Sequence, residues 1–396
     1  MVLQEVKDLV VRKFGKEISS HYDVLQLQEA IINGCGKRIS SQTIKRFFGL
    51  IKTSSKPDPA TLDILAAYLQ FSSFNDLKTW KNIAYNNTAA GGNEWASEIV
   101  LQILKDIKPE NLHEPGLLQL VKNLFTLFER QPELPSVIYP RLSASEFGRR
   151  YFFEQFIHYD ALAFHYGMGL EHYLIYEDSR EHRLFSYSML CMQGYLTGNQ
   201  QACRYYFTKL GDYTKEEINT YHPFLIGRYY GCRVFMNALE GLNAVDYVKE
   251  QVQHLLTTER SATDLYHGYP CAEVVFAEAL IFTGHFQQAF QLLHDKKVRE
   301  YVHPPYMDIS FKNHLEILRL LAGVFAETIP TGKAKKEVER CCKSPVYFLC
   351  QNYIQLLLLL TKKKLEIQSG HTEKKIKETL QKLGFVLPAV FINHPK

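Results

Sequence analysis

The sequence contains no long apolar run, so we expect no segment that carries the protein into or through a membrane. No stretch reaches the roughly 18 consecutive apolar residues of a spanning helix. The longest apolar segment, residues 346–360, is interrupted by Gln351, Asn352 and Gln355. The first eight residues carry charges where a signal peptide has an apolar core. The 8 cysteines form no C-x-x-C pair, which argues against a disulfide or zinc framework. We expect a cytoplasmic protein with no membrane partner.

Sequence signatures of common enzymes are also missing. The chain contains no phosphate-binding G-x-x-x-x-G-K-[ST] loop, no G-x-S-x-G and no H-E-x-x-H. His158, His165 and His172 recur every seven residues, but seven residues of helix rise about 10 Å. That distance is too long for two rings to share one metal ion. We expect no enzymatic activity, no metal and no cofactor.

Acidic residues are absent from one stretch near the amino terminus. Residues 37–56 hold six basic residues and no acidic one, which suits a polyanion or a solvated basic face. Residues 1–82 contain 12 basic and 8 acidic side chains, residues 83–330 contain 21 and 29, and residues 331–396 contain 13 and 5. The net charge of +4 is therefore the sum of a basic first segment, an acidic middle segment and a basic last segment.

Alternating apolar and polar runs, the pattern of strands, are scarce, and helical periodicity dominates. The pattern predicts an all-α protein with four parts. Residues 1–85 form a helical bundle, residues 86–94 a glycine-containing linker, residues 95–330 helical repeats and residues 331–396 helices that cap those repeats. Within the bundle, Ser40 is expected to cap a helix from Ser41 to Leu50. The expected apolar stripe of that helix is Ile44, Phe47, Phe48 and Ile51.

Three glycines indicate the repeats. Gly198, Gly241 and Gly284 each follow an apolar helix, and they are spaced 43 residues apart. A fixed period of 20–50 residues is typical of stacked helical hairpins. The third copy matches the tetratricopeptide spacing, although that repeat normally has 34 residues. We therefore predict an α-solenoid of irregular, tetratricopeptide-like hairpins with turns at the three glycines.

The segment Ile39–Gly49, followed by Pro59 and the sequence Thr61-Leu62-Asp63-Ile64-Leu65-Ala66, resembles the helix-turn-helix region of bacterial regulators. In such proteins the second helix reads the major groove. With the apolar stripe facing inward, the base-reading candidates on the opposite side are Ser41, Gln42 and Lys45. The phosphate-contact candidates are Lys37, Arg38, Arg46 and Lys52. The turn from Asn33 to Ile39 is longer than in the standard motif.

The repeat region is rich in tyrosine, a residue that offers apolar area with one polar tip. Candidates for binding a peptide or protein are Tyr205, Tyr206, Tyr229, Tyr230, Tyr266 and Tyr269, with Arg228 and Arg233 beside the second pair. Packing between hairpins is the alternative role of these tyrosines.

The layout is similar to that of bacterial peptide-pheromone-sensing regulators, which join a helix-turn-helix to tetratricopeptide repeats. The resemblance implies a transcriptional regulator that binds double-stranded DNA, senses a peptide or protein partner and forms a homodimer. The alternative is a helical-repeat adaptor whose first bundle contacts protein rather than DNA.

Overall fold

The computed structural model describes residues 3–52, 56–84, 102, 104, 115–131, 134–258, 271–296, 298, 309–347, 349–367 and 369–392. The predicted linker at 86–94 lies outside these residues. The contacts divide the chain into two compact units. One contains Met1–Gly91 and Glu171–Ser179, and the other contains Gly92–Leu170 and Arg180–Lys396. Every regular element among the described residues is helical, as the periodicity predicts.

Among its described residues, the amino-terminal unit holds five complete helices around an apolar core. They are α1 (Leu3–Phe14), α2 (His21–Cys35), α3 (Ser41–Phe48), α4 (Pro59–Tyr68) and α5 (Phe74–Ala84). The core includes Val6, Val10, Leu27, Leu65 and Trp80, each at most 1% exposed. Residues 171–179 join this unit although the sequence assigns them to the repeats. The Lys13 ammonium donates to the carbonyl of Ile175 at 2.8 Å and lies 3.6 Å from Asp178.

The described part of the second unit contains irregular helices followed by longer, regular ones. From residue 115 onward, its elements are α6 (Pro115–Arg130), α7 (Leu134–Leu142), a π-helix (Gly148–Gln155), a 3₁₀ turn (Tyr159–Ala161) and α8 (His165–Tyr176), whose end belongs to the first unit. Then follow α9 (Arg180–Leu196), α10 (Gln200–Leu210), α11 (Lys215–Asn219), α12 (Pro223–Glu240), α13 (Val245–Thr257), α14 (Ala272–Phe282), α15 (Phe286–Leu293), α16 (Ile309–Phe325), α17 (Thr331–Cys341), α18 (Gln351–Lys364), α19 (Ser369–Leu383) and a 3₁₀ turn (Ala389–Phe391).

Turns are present at all three predicted glycines, and the helices on either side pack on each other at Gly198 and Gly284. Gly198, Gly241 and Gly284 have φ of 72°, 64° and 87°. This left-handed conformation ends a helix, and glycine adopts it without the steric cost that a Cβ imposes. Two further hairpins, α16–α17 and α18–α19, use Glu327 and Glu366 at φ of 57° and 56°. The predicted division at residue 330 therefore falls within a hairpin turn. The helices of this region pack on one another in succession, since α9 contacts α12, α12 contacts α14, α15 contacts α16 and α16 contacts α18.

Close helix approach depends on small residues. A Cβ on Gly227 would lie 2.5 Å from the carbonyl oxygen of Ala272, and one on Gly231 would lie 2.8 Å from the Cβ of Ala279. The two glycines therefore let α12 approach α14 more closely than larger residues would allow. None of the eight cysteines forms a disulfide bond, and five of them are buried. None of the helices in the described part of the chain is long and apolar enough to cross a membrane.

Candidate nucleic-acid interface

Helix α2 is fixed at its amino terminus by a capping box. The Ser20 hydroxyl accepts from the backbone N–H of Asp23 at 3.2 Å, and the Asp23 carboxylate accepts from the N–H of Ser20 at 2.8 Å. The Lys16 ammonium donates to Asp23 at 2.6 Å. The hydrogen bonds from Lys16 and then from the Ser20 hydroxyl hold the pKa of Asp23 well below its usual range. These contacts order the start of the first helix of the resembled motif.

The turn between α2 and α3 is long, and hydrogen bonds hold it in place. Gly36 adopts the left-handed conformation (φ 68°) and donates its N–H to the carbonyl of Ile32. The turn begins later than the predicted Asn33, because the helix continues to Cys35. The side-chain amide of Gln28 on α2 donates to the carbonyl of Ile39 at 2.7 Å. The Ser40 hydroxyl then caps α3 by accepting from the N–H of Thr43 at 3.0 Å, which confirms the predicted cap.

The two faces of α3 differ in the way the sequence predicts. Ile44 is 1% exposed and Phe47 is 5% exposed. Gln42 and Arg46, four residues apart on the outer side, are exposed, whereas Lys45 is half-buried. The helix therefore presents an amide, an ammonium and a guanidinium away from its core.

The remaining candidates surround α3. Ser41 is half-buried at the flank of the helix, while Lys37, Arg38 and Lys52 are exposed. In the described part of the chain, none of these three basic side chains forms an ion pair. The seven candidates that the sequence selected thus lie on or beside one short helix, and the four exposed basic side chains among them, Lys37, Arg38, Arg46 and Lys52, can reach a ligand.

Two details of this region correct the sequence analysis. Helix α3 ends at Phe48, because Gly49 takes a left-handed conformation (φ 83°), rather than continuing to Leu50. Ile51, expected in the apolar stripe, is 38% exposed, and Phe48 is only half-buried. Ile51 lies beyond the helical phase that brings Ile44 and Phe47 to the core. The buried stripe is therefore narrower than predicted.

The structure also limits which repeat-region candidates a partner can reach. Tyr206 is 0% exposed, and Arg228 and Tyr230 are each 2% exposed. These three side chains pack inside the unit, as the alternative role predicts, and the set of surface candidates is corrected accordingly. Tyr205 and Tyr229 are half-buried and Arg233 is exposed. Tyr266 and Tyr269 lie outside the described residues.

Arg228 belongs to a buried polar cluster that the sequence analysis missed. Its Nη1 lies 2.8 Å from Oε2 of Glu278, which is 3% exposed. Its Nη2 donates to the hydroxyl of Tyr159, and the hydroxyl of Tyr353 donates to Oε1 of Glu278 at 2.6 Å. The rings of Tyr159 and Tyr353 stack with centroids 4.7 Å apart. The cluster joins α12, α14, α18 and the 3₁₀ turn at Tyr159–Ala161.

The histidines lie closer together than the seven-residue spacing suggests. The ring centroids of His158 and His165 are 5.5 Å apart, because His158 precedes α8 instead of sharing a helix with His165. Burial lowers the pKa of His165 to about 4 and, together with the neighbouring His165, holds the pKa of His158 well below its usual value. Both rings are therefore neutral at physiological pH. Across the described residues, no group of three His, Cys, Asp or Glu side chains is arranged to hold a metal ion.

Comparisons with known proteins add no family assignment. No protein-family model, no curated protein and no solved structure is significantly similar to this chain.

Proposed function

We propose that the chain is a DNA-binding transcriptional regulator whose helix α3 enters the major groove of duplex DNA. The observation that carries the proposal is the orientation of α3. Its apolar side chains Ile44 and Phe47 are buried, while Gln42 and Arg46 are exposed. A helix that reads DNA bases exposes hydrogen-bonding side chains on one face, and the packing of its opposite face fixes its position.

The side chains divide into two roles by chemistry. Gln42 pairs with the edge of adenine and Lys45 reaches guanine, with Ser41 at the flank of the same contact. Lys37, Arg38, Arg46 and Lys52 contact phosphates, which supply affinity without selecting a sequence. The anchored turn before Ser40 sets the angle at which α3 meets the groove.

The second unit, as we propose it, is a tetratricopeptide-like array that binds a peptide or protein. Tyr205, Tyr229 and Arg233 are the surface candidates. Arg233 lies 5.1 Å from the ring centre of Phe207, which places its guanidinium beside an aromatic surface. A ligand that favours one curvature of the array shifts the population of a homodimer between two spacings of its reading helices. If α3 contacts protein instead, the chain is an adaptor.

The experiment is selection of bound sequences from random duplex DNA by the full chain, followed by affinity measurement. Gln42→Ala is expected to relax the preference at one base pair, at a cost of about 1–3 kcal/mol on the preferred site. Arg38→Ala is expected to weaken binding to all sequences equally. Gln200→Ala, an exposed glutamine of the helical array, is the matched control and leaves binding unchanged. Selection that yields no preferred sequence, with Gln42→Ala indistinguishable from the control, contradicts the base-reading role.

A further inference from the structure

A cleft of about 420 Å³ lies beside α3 in the amino-terminal unit. Three cationic side chains from three different segments line it: Lys7 of α1, Arg46 of α3 and Lys56 of the segment before α4. The side chains of Thr43 and Thr61 line the same cleft. The fold therefore gathers charges that lie up to 49 positions apart in the sequence.

Positive charge dominates this cleft. Among the described residues of the lining, Asp58 is the single carboxylate, and its Oδ1 accepts from the N–H of Ala60 at 2.8 Å, which caps α4. Among the described residues, no acidic side chain forms an ion pair with any of the three cations. Glu5, also on α1, pairs with Lys81 instead.

The cations are also placed to act together. The ammonium of Lys7 lies 5.8 Å from the ring centre of Phe47, whose side chain forms part of the lining. This cation–π contact holds the ammonium over an apolar surface. Arg46 supplies a planar guanidinium with several donors, and the two lysines supply compact charges. Such a set, with two hydroxyls beside it, matches the oxygens of a phosphoryl group.

We propose that this cleft binds a phosphoryl group. Its volume falls within the range of small-ligand sites, roughly 300–1,000 Å³, so that a phosphate enters together with part of the sugar or other group attached to it. Two sources share this chemistry: the backbone of DNA bound at α3, and a free phosphorylated small molecule. The first source rests on the proposed function, because Arg46 lies both on the outer face of α3 and in the cleft.

The first arm of the test measures duplex DNA binding by the full chain over a salt series. The variants are Lys7→Ala, Lys56→Ala and the charge reversal Lys56→Glu. Arg46 is left intact, because the proposed function already uses it. If the DNA backbone supplies the phosphoryl group, each alanine variant weakens binding to every sequence equally. Each variant also reduces the magnitude of the slope of log K against log salt by about 0.9. The control is Lys78→Ala on α5, whose ammonium lies over the ring of Phe74; its slope stays unchanged.

The second arm titrates inorganic pyrophosphate into the full chain without DNA and measures heat. If a free phosphorylated molecule is the source, the native chain binds pyrophosphate and Lys56→Glu abolishes the binding, while its circular dichroism and melting temperature stay native. Either positive arm supports the phosphoryl site. If DNA binds but the lysine variants match Lys78→Ala, and pyrophosphate does not bind, the proposal is overturned while the proposed function stands. If the native chain binds no DNA, the proposed function fails and the pyrophosphate arm alone decides the cleft.

Discussion

Replacing Arg228 by methionine removes the only guanidinium from the buried polar cluster of the second unit. Arg228 is 2% exposed and Glu278 is 3% exposed, with 2.8 Å between Nη1 and Oε2. In Arg228→Met the Glu278 carboxylate keeps the hydroxyl of Tyr353 at 2.6 Å and that of Tyr159 at 3.4 Å. Both hydroxyls are neutral donors, and neither replaces the lost charge.

The expected cost follows from the burial of both ions. Removing one member of a buried ion pair leaves an uncompensated charge, which destabilises a protein by about 3–5 kcal/mol. The double variant Arg228→Met/Glu278→Gln leaves a neutral amide whose oxygen still accepts from the Tyr353 hydroxyl. We therefore expect the double variant to recover most of the stability that the single variant loses.

The assay is equilibrium unfolding in urea, followed by far-ultraviolet circular dichroism, for the native chain and each variant. The control is Arg233→Met, on the same helix but exposed, which is expected to cost less than about 1 kcal/mol. The reasoning is refuted if Arg228→Met costs no more than this control. It is also refuted if the double variant is less stable than Arg228→Met, since the loss is then due to packing and not to charge.

Three further outcomes test the packing and the buried histidines. Gly241→Ala is expected to cost about 1 kcal/mol from its left-handed φ of 64°, since its Cβ meets no atom within 4 Å. Gly227→Ala is expected to cost more in the same urea assay, because its Cβ overlaps the Ala272 carbonyl oxygen at 2.5 Å; equal costs contradict the close helix approach. Burial keeps the pKa of His165 at about 4, so as pH falls from about 6.5 to 4 only the unfolded state gains a proton there. Lowering the pH from about 6.5 to 4 should therefore reduce the free energy of unfolding by about 3 kcal/mol through protonation of this ring in the unfolded state. Between pH 7 and 4, the free energy of unfolding of His165→Gln should fall less than that of the native chain.

Local signals allowed much of the amino-terminal unit to be predicted. The cap at Ser40 and the burial of Ile44 and Phe47 follow from short sequence patterns and hold in the structure. The end of α3 was predicted too late, because Gly49 stops the helix before the apolar pattern ends. The cleft was missed because Lys7 and Lys56 lie far apart in the sequence, and only the packing of α1 against α4 makes them neighbours.

In the second unit, turns were predictable where glycine signals them and not elsewhere. Glu327 and Glu366 adopt the left-handed conformation, which carries no residue-type signal in a glutamate. The buried cluster depends on contacts between residues that are far apart in the sequence, and helical periodicity does not predict such contacts. Asp160, for example, accepts from the N–H groups of Asn352 and Tyr353 at 2.8 and 2.9 Å across more than 190 residues. From the sequence alone, an arginine such as Arg228 is assigned to the surface, because its carboxylate partner, Glu278, lies on a different helix.

The central claim, that α3 binds duplex DNA, is tested most directly by a fluorescence-anisotropy titration of the full chain with a labelled random-sequence duplex over a salt series. Four phosphate contacts, from Lys37, Arg38, Arg46 and Lys52, predict that log K falls against log salt with a slope of about −3.6 per chain, and of about −5.4 if the DNA backbone also contacts Lys7 and Lys56. Removing Arg38 should bring the slope about 0.9 closer to zero. Absence of binding at low salt, or binding whose slope is near zero, contradicts the account.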